Sequence, residues 1–357
     1  MKRLISVVIV LIFIFGSFNV IGLKNFNSET KENCGCNKQN KIINQIKDPD
    51  RPKCLGQIVV PYDQEPYPCI TMQFSGNNPE SWDWRDVDGK DYTTPIRNQE
   101  ECGSCWAFGA VATLESFMEI KKNNPDLNPD LSEQYLVSCG MSVLPNRLDG
   151  CCGAYITATM FFLKHFGTVT EPCFEYVAVD AKGRDAWDCG EDIYAHEPVE
   201  CTERCFGWRT QLHKIGDYGT LADLFSIKHV ISNYGPVVAG FMVYEDFFSY
   251  EGGIYERNSD IFLGGHIISI VGYNDNLENP DEPGYWICKN SWGSSWGENG
   301  YFRIKYGECS IDEEGHCFYF ENFKISKSYQ NNRFFQIIER IPIIKYLFYN
   351  SLLKILS

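Results

Sequence analysis

Positive charge is scarce in this chain of 357 residues: 32 Lys and Arg stand against 47 Asp and Glu, a formal net charge of -15 at neutral pH. So acidic a chain repels phosphate backbones, and no stretch concentrates Lys or Arg, so a nucleic-acid partner is excluded. Histidine is sparse too, with six in all, which narrows the choice of imidazole for any acid-base chemistry. Internal repeats and low-complexity tracts are missing, which argues against a repeat array and against a chain that is mostly linker. Apolar residues are not lacking. At 44% hydrophobic the chain can bury a full core, as one large or two modest domains.

The first residues point to export. Lys2 and Arg3 precede an apolar run from Leu4 to Phe15, followed by the small residues Gly16, Ser17 and Gly22, the layout of a signal peptide spanning 1–22. An uncleaved anchor is the alternative, because Leu4 to Leu23 approaches the roughly 20 residues that a spanning helix needs. Either way the body of the chain is secreted or otherwise extracytoplasmic. Sixteen cysteines agree, since disulfides persist in an oxidising compartment. Residues 23–78 are polar, Pro-containing and poorly periodic, and read as a pro-segment or leader. Residues 79–325 read as the main domain.

Helical spacing of Phe108, Val111, Leu114, Phe117 and Met118 predicts a long, mostly buried helix over 104–122, stopped by Asn123, Asn124 and Pro125. Further helices are expected over 132–137, capped by Ser132, over 154–166, ended by Gly167, and over 220–233. Beyond Gly235 and Pro236 the pattern changes to aromatic and β-branched runs. Strands are expected over 237–244, 266–273, 284–292, 300–306 and 318–325. The class is α+β, helical first and sheet second.

Cys105 falls in the first turn of the long helix, where unpaired N–H groups and the helix dipole favour a thiolate. Cys102 and Cys105 also have the spacing of a redox or metal pair, but the surrounding run Cys102-Gly103-Ser104-Cys105-Trp106 is more specific. That run resembles the nucleophile motif of papain-like cysteine peptidases. The resemblance extends to Gln99, six residues before Cys105, to Gly264-Gly265-His266 at the head of an apolar strand, and to Asn290-Ser291-Trp292-Gly293. It covers 79–325 and leans toward the cathepsin B-like branch through Gly235-Pro236-Val237, Gly253-Ile254-Tyr255 and the Cys-rich stretch from Cys173 to Cys205.

The resemblance implies a two-domain fold, with the nucleophile on a central helix of the helical half, a β-barrel-like second half and a cleft between them. It implies Cys105 as nucleophile, His266 as base and acid, Asn290 orienting the ring, and the Gln99 amide in an oxyanion hole. Trp292 would shield the His266–Asn290 bond. Gly103, Gly153, Ala154, Gly264 and Gly265 would line the path of an extended peptide, with Ala154 standing where the family usually has glycine. Matched by position, Glu314 would put a carboxylate at the floor of the pocket for the P2 side chain and accept Arg there. It pairs Cys102 with Cys151, Cys139 with Cys201 and Cys173 with Cys205. With Cys105 unpaired an odd number of cysteines remains, and Cys288 is the candidate for a second, inert thiol.

The expected function is peptide-bond hydrolysis through an acyl-thioester on Cys105, as an endopeptidase, on protein or peptide substrates, with neither cofactor nor metal. In cathepsin B an inserted loop carries two adjacent His residues that hold a substrate C-terminus. The insert here has only His196, which speaks against that carboxypeptidase action; exopeptidase (dipeptidyl-peptidase) action through the Cys173–Cys205 insert is the alternative, and a catalytically silent binding module is a third reading. The tail 326–357 carries apolar residues such as Ile343, Ile344, Leu347 and Phe348 at helical spacing after Pro342. Attachment to a membrane surface or a partner is expected of it, or packing on the catalytic domain.

Overall fold

A computed structural model describes residues 55–60, 65–67, 69–185, 196–275 and 284–325. The expectations for the signal peptide, for 23–54 and for the tail therefore lie outside the described residues.

Strands β1 (Thr71–Met72) and β2 (Ser81–Asp83) precede helix α1 (Cys105–Lys122). α1 is buried along nearly its whole length from Cys105 to Glu119. It ends at Asn123, whose left-handed backbone turns its N–H back onto the carbonyls of Glu119 and Ile120. Helix α2 opens where Ser132 Oγ accepts the N–H of Tyr135. It runs longer than expected from sequence, through a π-helical turn at Tyr135–Cys139 into Gly140–Val143. Helix α3 spans Ile156–His165. The expected start at Ala154 is corrected, because Ala154 donates its N–H to Gly56 O and accepts from Ile58 N, both at 2.9 Å. Those two bonds hold it extended.

The second half begins with β3 (His213–Ile215) and β4 (Tyr218–Leu221). Helix α4 covers Leu224–Asn233, four residues later than periodicity suggests, because Thr220 and Leu221 pair with Thr71 and Met72 as strand. Asp223 caps it by accepting the N–H of Ser226 at 2.7 Å. Then come β5 (Val237–Tyr244), β6 (Ile254–Tyr255), β7 (Phe262–Asn274), β8 (Tyr285–Lys289), β9 (Tyr301–Lys305), β10 (Cys317–Phe320) and β11 (Phe323–Ile325). The run expected over 318–325 is thus two strands. β11 leaves the main sheet to pair with β3.

The main sheet runs β1-β4-β10-β5-β7-β8-β9-β6, with β2 also pairing β7. One apolar core surrounds α1, α2 and α3, and a second fills the sheet half around Phe241, Phe247, Trp286 and Phe302. α1 packs on β7 at Gly109, where an added Cβ would come within 3.1 Å of Ile267 O. One turn further on, Thr113 Oγ1 lies 2.8 Å from Ser269 Oγ and accepts its proton, its own going to Gly109 O. This close approach sets the N-terminus of α1 against the middle of β7.

Candidate active site

His266 lies within β7, opposite Phe241 of β5, rather than at the head of a strand. Its Nε2 is 2.8 Å from Asn290 Oδ1, and that oxygen also accepts the N–H of Ser291 at 2.8 Å. An atom that accepts a backbone N–H is a carbonyl oxygen, so Nε2 carries the ring proton and Nδ1 the lone pair. Nδ1 is buried and has no hydrogen-bond partner. The Trp292 ring lies 4.8 Å from the His266 ring, centroid to centroid, and Asn290 and Trp292 are both buried. Cys105 opens α1, and its Sγ accepts the backbone N–H of Gly56 at 3.2 Å, while the backbone N–H groups of Ile267, Trp106 and Cys105 itself also favour the thiolate. A buried thiol at a helix N-terminus, beside the residue that follows a tautomer-fixed imidazole, is an arrangement for nucleophilic attack with proton transfer.

The profile described as papain family cysteine protease matches residues 78–319. The chain belongs to that family. It is 32% identical over 251 residues to "Cathepsin B-like CP2" of Giardia intestinalis, covering 68% of this chain and 75% of the relative. It is 32% identical over 268 residues to "Cathepsin Z" of Onchocerca volvulus, covering 71% and 80%. Among solved structures, proCathepsin B S9 from Trypanosoma congolense shares the fold at a TM-score of 0.59 and 22% identity, covering 76% of this chain and 86% of that one. The protein is a cathepsin B-like cysteine peptidase with the papain-like α+β fold.

In this peptidase the site is closed by its own chain. Residues 55–60 cross it as an extended strand: Gly56 N donates to Cys105 Sγ at 3.2 Å, and Gln57 N donates to Gly265 O at 3.0 Å. Ala154 pairs with Gly56 and Ile58 on the other side. The glycines lining this path are tightly met. An added Cβ would lie 2.4 Å from Val59 at Gly265, 2.7 Å from Gly56 O at Gly153, and 2.4 Å from Cys151 O at Gly103. The Gln57 side chain lies against Gly240 and Gly265. Gly264 takes φ +148°, a backbone that glycine tolerates.

Occlusion governs the electrostatics. Burial pushes the Cys105 thiol up to about 12, although backbone N–H groups pull it down. Burial pushes His266 down to about 4 against the raising effect of its bond to Asn290. In the occupied cleft burial thus disfavours the charged form of both groups.

Gln99 is fully buried. Its N–H donates to Ser291 O at 2.8 Å, its Oε1 accepts from Ser291 Oγ at 2.7 Å, and its Nε2 donates to Cys102 O at 2.8 Å. Disulfides join Cys102 to Cys151, Cys139 to Cys201 and Cys173 to Cys205. Cys288 is a buried thiol that burial raises well above its ordinary value. Two further unpaired buried thiols, Cys309 and Cys317, are ones that sequence reading did not single out. Glu314 is exposed on the loop before β10, and the residue of that loop bonded to Gly240 is His316, through its carbonyl. His196 is exposed and bonded to Asp185 at 3.1 Å.

Sequence reading also missed Lys289. This buried lysine donates to Thr94 Oγ1 at 2.9 Å, and Thr94 donates in turn to Glu115 of α1 at 2.6 Å. Burial lowers the Lys289 ammonium and raises the Glu115 carboxyl, and the attraction between the two opposes both shifts. The relay ties α1 to the residue before Asn290. Its one sequence signal was a lysine at the end of the apolar run Trp286-Ile287-Cys288.

Proposed function

We propose that the peptidase is an exported endopeptidase held as a precursor, with Cys105, His266 and Asn290 as its triad and Gln99 as an oxyanion donor. The observation that carries this reading is the Asn290–His266 bond, which fixes the ring proton on Nε2 and leaves Nδ1 as a buried, unpartnered lone pair. When the 55–60 strand leaves, water relieves the desolvation that disfavours the charged form of both groups. His266 Nδ1 takes the Cys105 proton, and the thiolate attacks the carbonyl carbon of an extended peptide lying between Ala154 and Gly265. The oxyanion is stabilised by the N–H of Cys105 and the Gln99 amide. The imidazolium gives its proton to the departing amine, leaving a thioester that water, activated by His266, hydrolyses.

The 55–60 strand is not itself attacked, because it offers an N–H and not a carbonyl carbon to Sγ. A strand that crosses the nucleophile supports internal cleavage. Export is supported by the basic-then-apolar start of the chain and by the three disulfides among the described residues. The test combines titration with an epoxide thiol inhibitor, mapping of the labelled residue, and hydrolysis of peptides blocked at both ends. Labelling at Cys105, and turnover of blocked peptides that Cys105→Ala abolishes, is the expected result. Label elsewhere, or cleavage of free-ended peptides alone, overturns the reading.

A further inference from the structure

Ser104 stands at the N-cap of α1, where a serine ordinarily turns its hydroxyl back onto the helix N–H groups. It makes no such capping bond here. Its Oγ lies 2.7 Å from the Oη of Tyr176, and the same Oη lies 2.6 Å from the backbone carbonyl of Gln99. The direction of the chain follows from proton counting. A carbonyl only accepts, so the single phenolic proton goes to Gln99 O, and Ser104 must be the donor to Tyr176.

Tyr176 is itself held at both ends. Its N–H donates to Glu171 Oε1 at 2.7 Å, its ring meets Phe108 edge-on at 4.8 Å, and the chain three residues upstream is tied by the Cys173–Cys205 disulfide. The turn that it grips is under strain: Glu100, next to Gln99, takes φ +51°, a left-handed backbone that a non-glycine residue adopts at a cost.

We propose that Tyr176 is a positioning residue of the peptidase, a hydroxyl clamp that keeps Ser104 from capping α1 and pins the Gln99 turn. Both actions serve the same end. With Ser104 diverted, the N–H of Trp106, which an N-cap hydroxyl would otherwise take, remains available to the sulfur, and with Gln99 O anchored the side-chain amide keeps its place at the base of the turn. The second action rests on the reading of Gln99 as an oxyanion donor.

Tyr176→Phe keeps the ring against Phe108 and removes only Oη. The full chain is brought to maximal turnover and rates are normalised by active-site titration. The variant is expected to lose about tenfold in kcat, with KM within twofold, less than removal of a direct oxyanion donor costs. Its loss should not add to that of Gln99→Ala in the double variant. The pH profile of Cys105 alkylation should move upward, and Ser104→Ala in the Tyr176→Phe background should return it, because no hydroxyl is then left to cap the helix. An unchanged kcat, or a loss that multiplies with that of Gln99→Ala, overturns the clamp on the turn. Gln99→Ala alone judges the oxyanion reading. The alkylation profile does not depend on Gln99, and an unmoved profile overturns the clamp whatever Gln99 does.

Discussion

The backbone N–H of Gly56 lies 3.2 Å from the Sγ of Cys105, and a Cβ built on Gly56 would fall 1.7 Å from the carbonyl oxygen of Gly103. No side chain fits there without moving backbone. Gly56→Ala should therefore lift the 55–60 strand off Cys105. The full chain should then hydrolyse a small blocked peptide roughly tenfold faster, a shift of about 1.4 kcal/mol in the closed-to-open balance. The rate of Cys105 alkylation should rise in parallel. Equal rates in both proteins would mean that the strand does not control access.

The second contact of that N-terminal region is pH-dependent. Glu65 is buried against α3, where Thr157 Oγ1 donates to Oε2 at 2.5 Å, and Tyr67 stacks on Phe161 at 4.4 Å. Burial raises its carboxyl to about 7, with Arg147 as the opposing cation. A raised carboxyl binds its proton more tightly docked than undocked, so docking is strongest below about 4.5 and weakens as pH rises through about 7. Basal turnover of the full chain, relative to Gly56→Ala, should rise severalfold between pH 5 and pH 8 (about one decade per unit of pKa difference at most). Glu65→Gln should flatten the ratio; a slope that survives in that variant locates the switch elsewhere.

Asn290 is expected to orient and not to react. Asn290→Ala should lower kcat by about tenfold or more, and by less than His266→Ala, since general acid-base transfer as a whole contributes a factor of about 100 or more. Circular dichroism and the stoichiometry of Cys105 alkylation should match the parent. A loss equal to that of His266→Ala would give Asn290 a larger part than orientation.

Specificity at P2 separates two groups. Glu314 is exposed, while the Gln57 side chain fills the space beside Gly240 and Gly265. If the carboxylate of Glu314 swings to that space when the strand leaves, Glu314→Ala should reduce the preference for Arg over Phe at P2 by about fivefold, the worth of one partly exposed charge pair at the upper end. An unchanged preference in a P2 library removes Glu314 from the pocket. Gly240→Val should then narrow the tolerated side chains in its place.

Local chemistry wrote much of this protein in its linear order. The α+β class and the papain family were legible because the run around Cys105, the glycines before His266 and the Asn290-Ser291-Trp292 block each combine residue types that few other folds need at those spacings. The long helix was legible from apolar periodicity, and β5 from its β-branched run between Pro236 and an aromatic turn. Tertiary contact decided the rest. Thr220 and Leu221 read as helix by periodicity and became strand because β1 offered ladder partners to both and β10 a second one to Thr220. Ala154 left its expected helix because Gly56 and Ile58 claimed its backbone groups. None of these three residues carries a local mark of that pairing. The closure of the cleft by Gly56, the Thr94 relay between Lys289 and Glu115, and the hydroxyl of Tyr176 on Gln99 join residues between 21 and 195 positions apart. Hydrogen bonds at such separations leave no period or spacing in a sequence, because their partners are chosen by packing and by the desolvation cost of leaving a buried polar group unpaired.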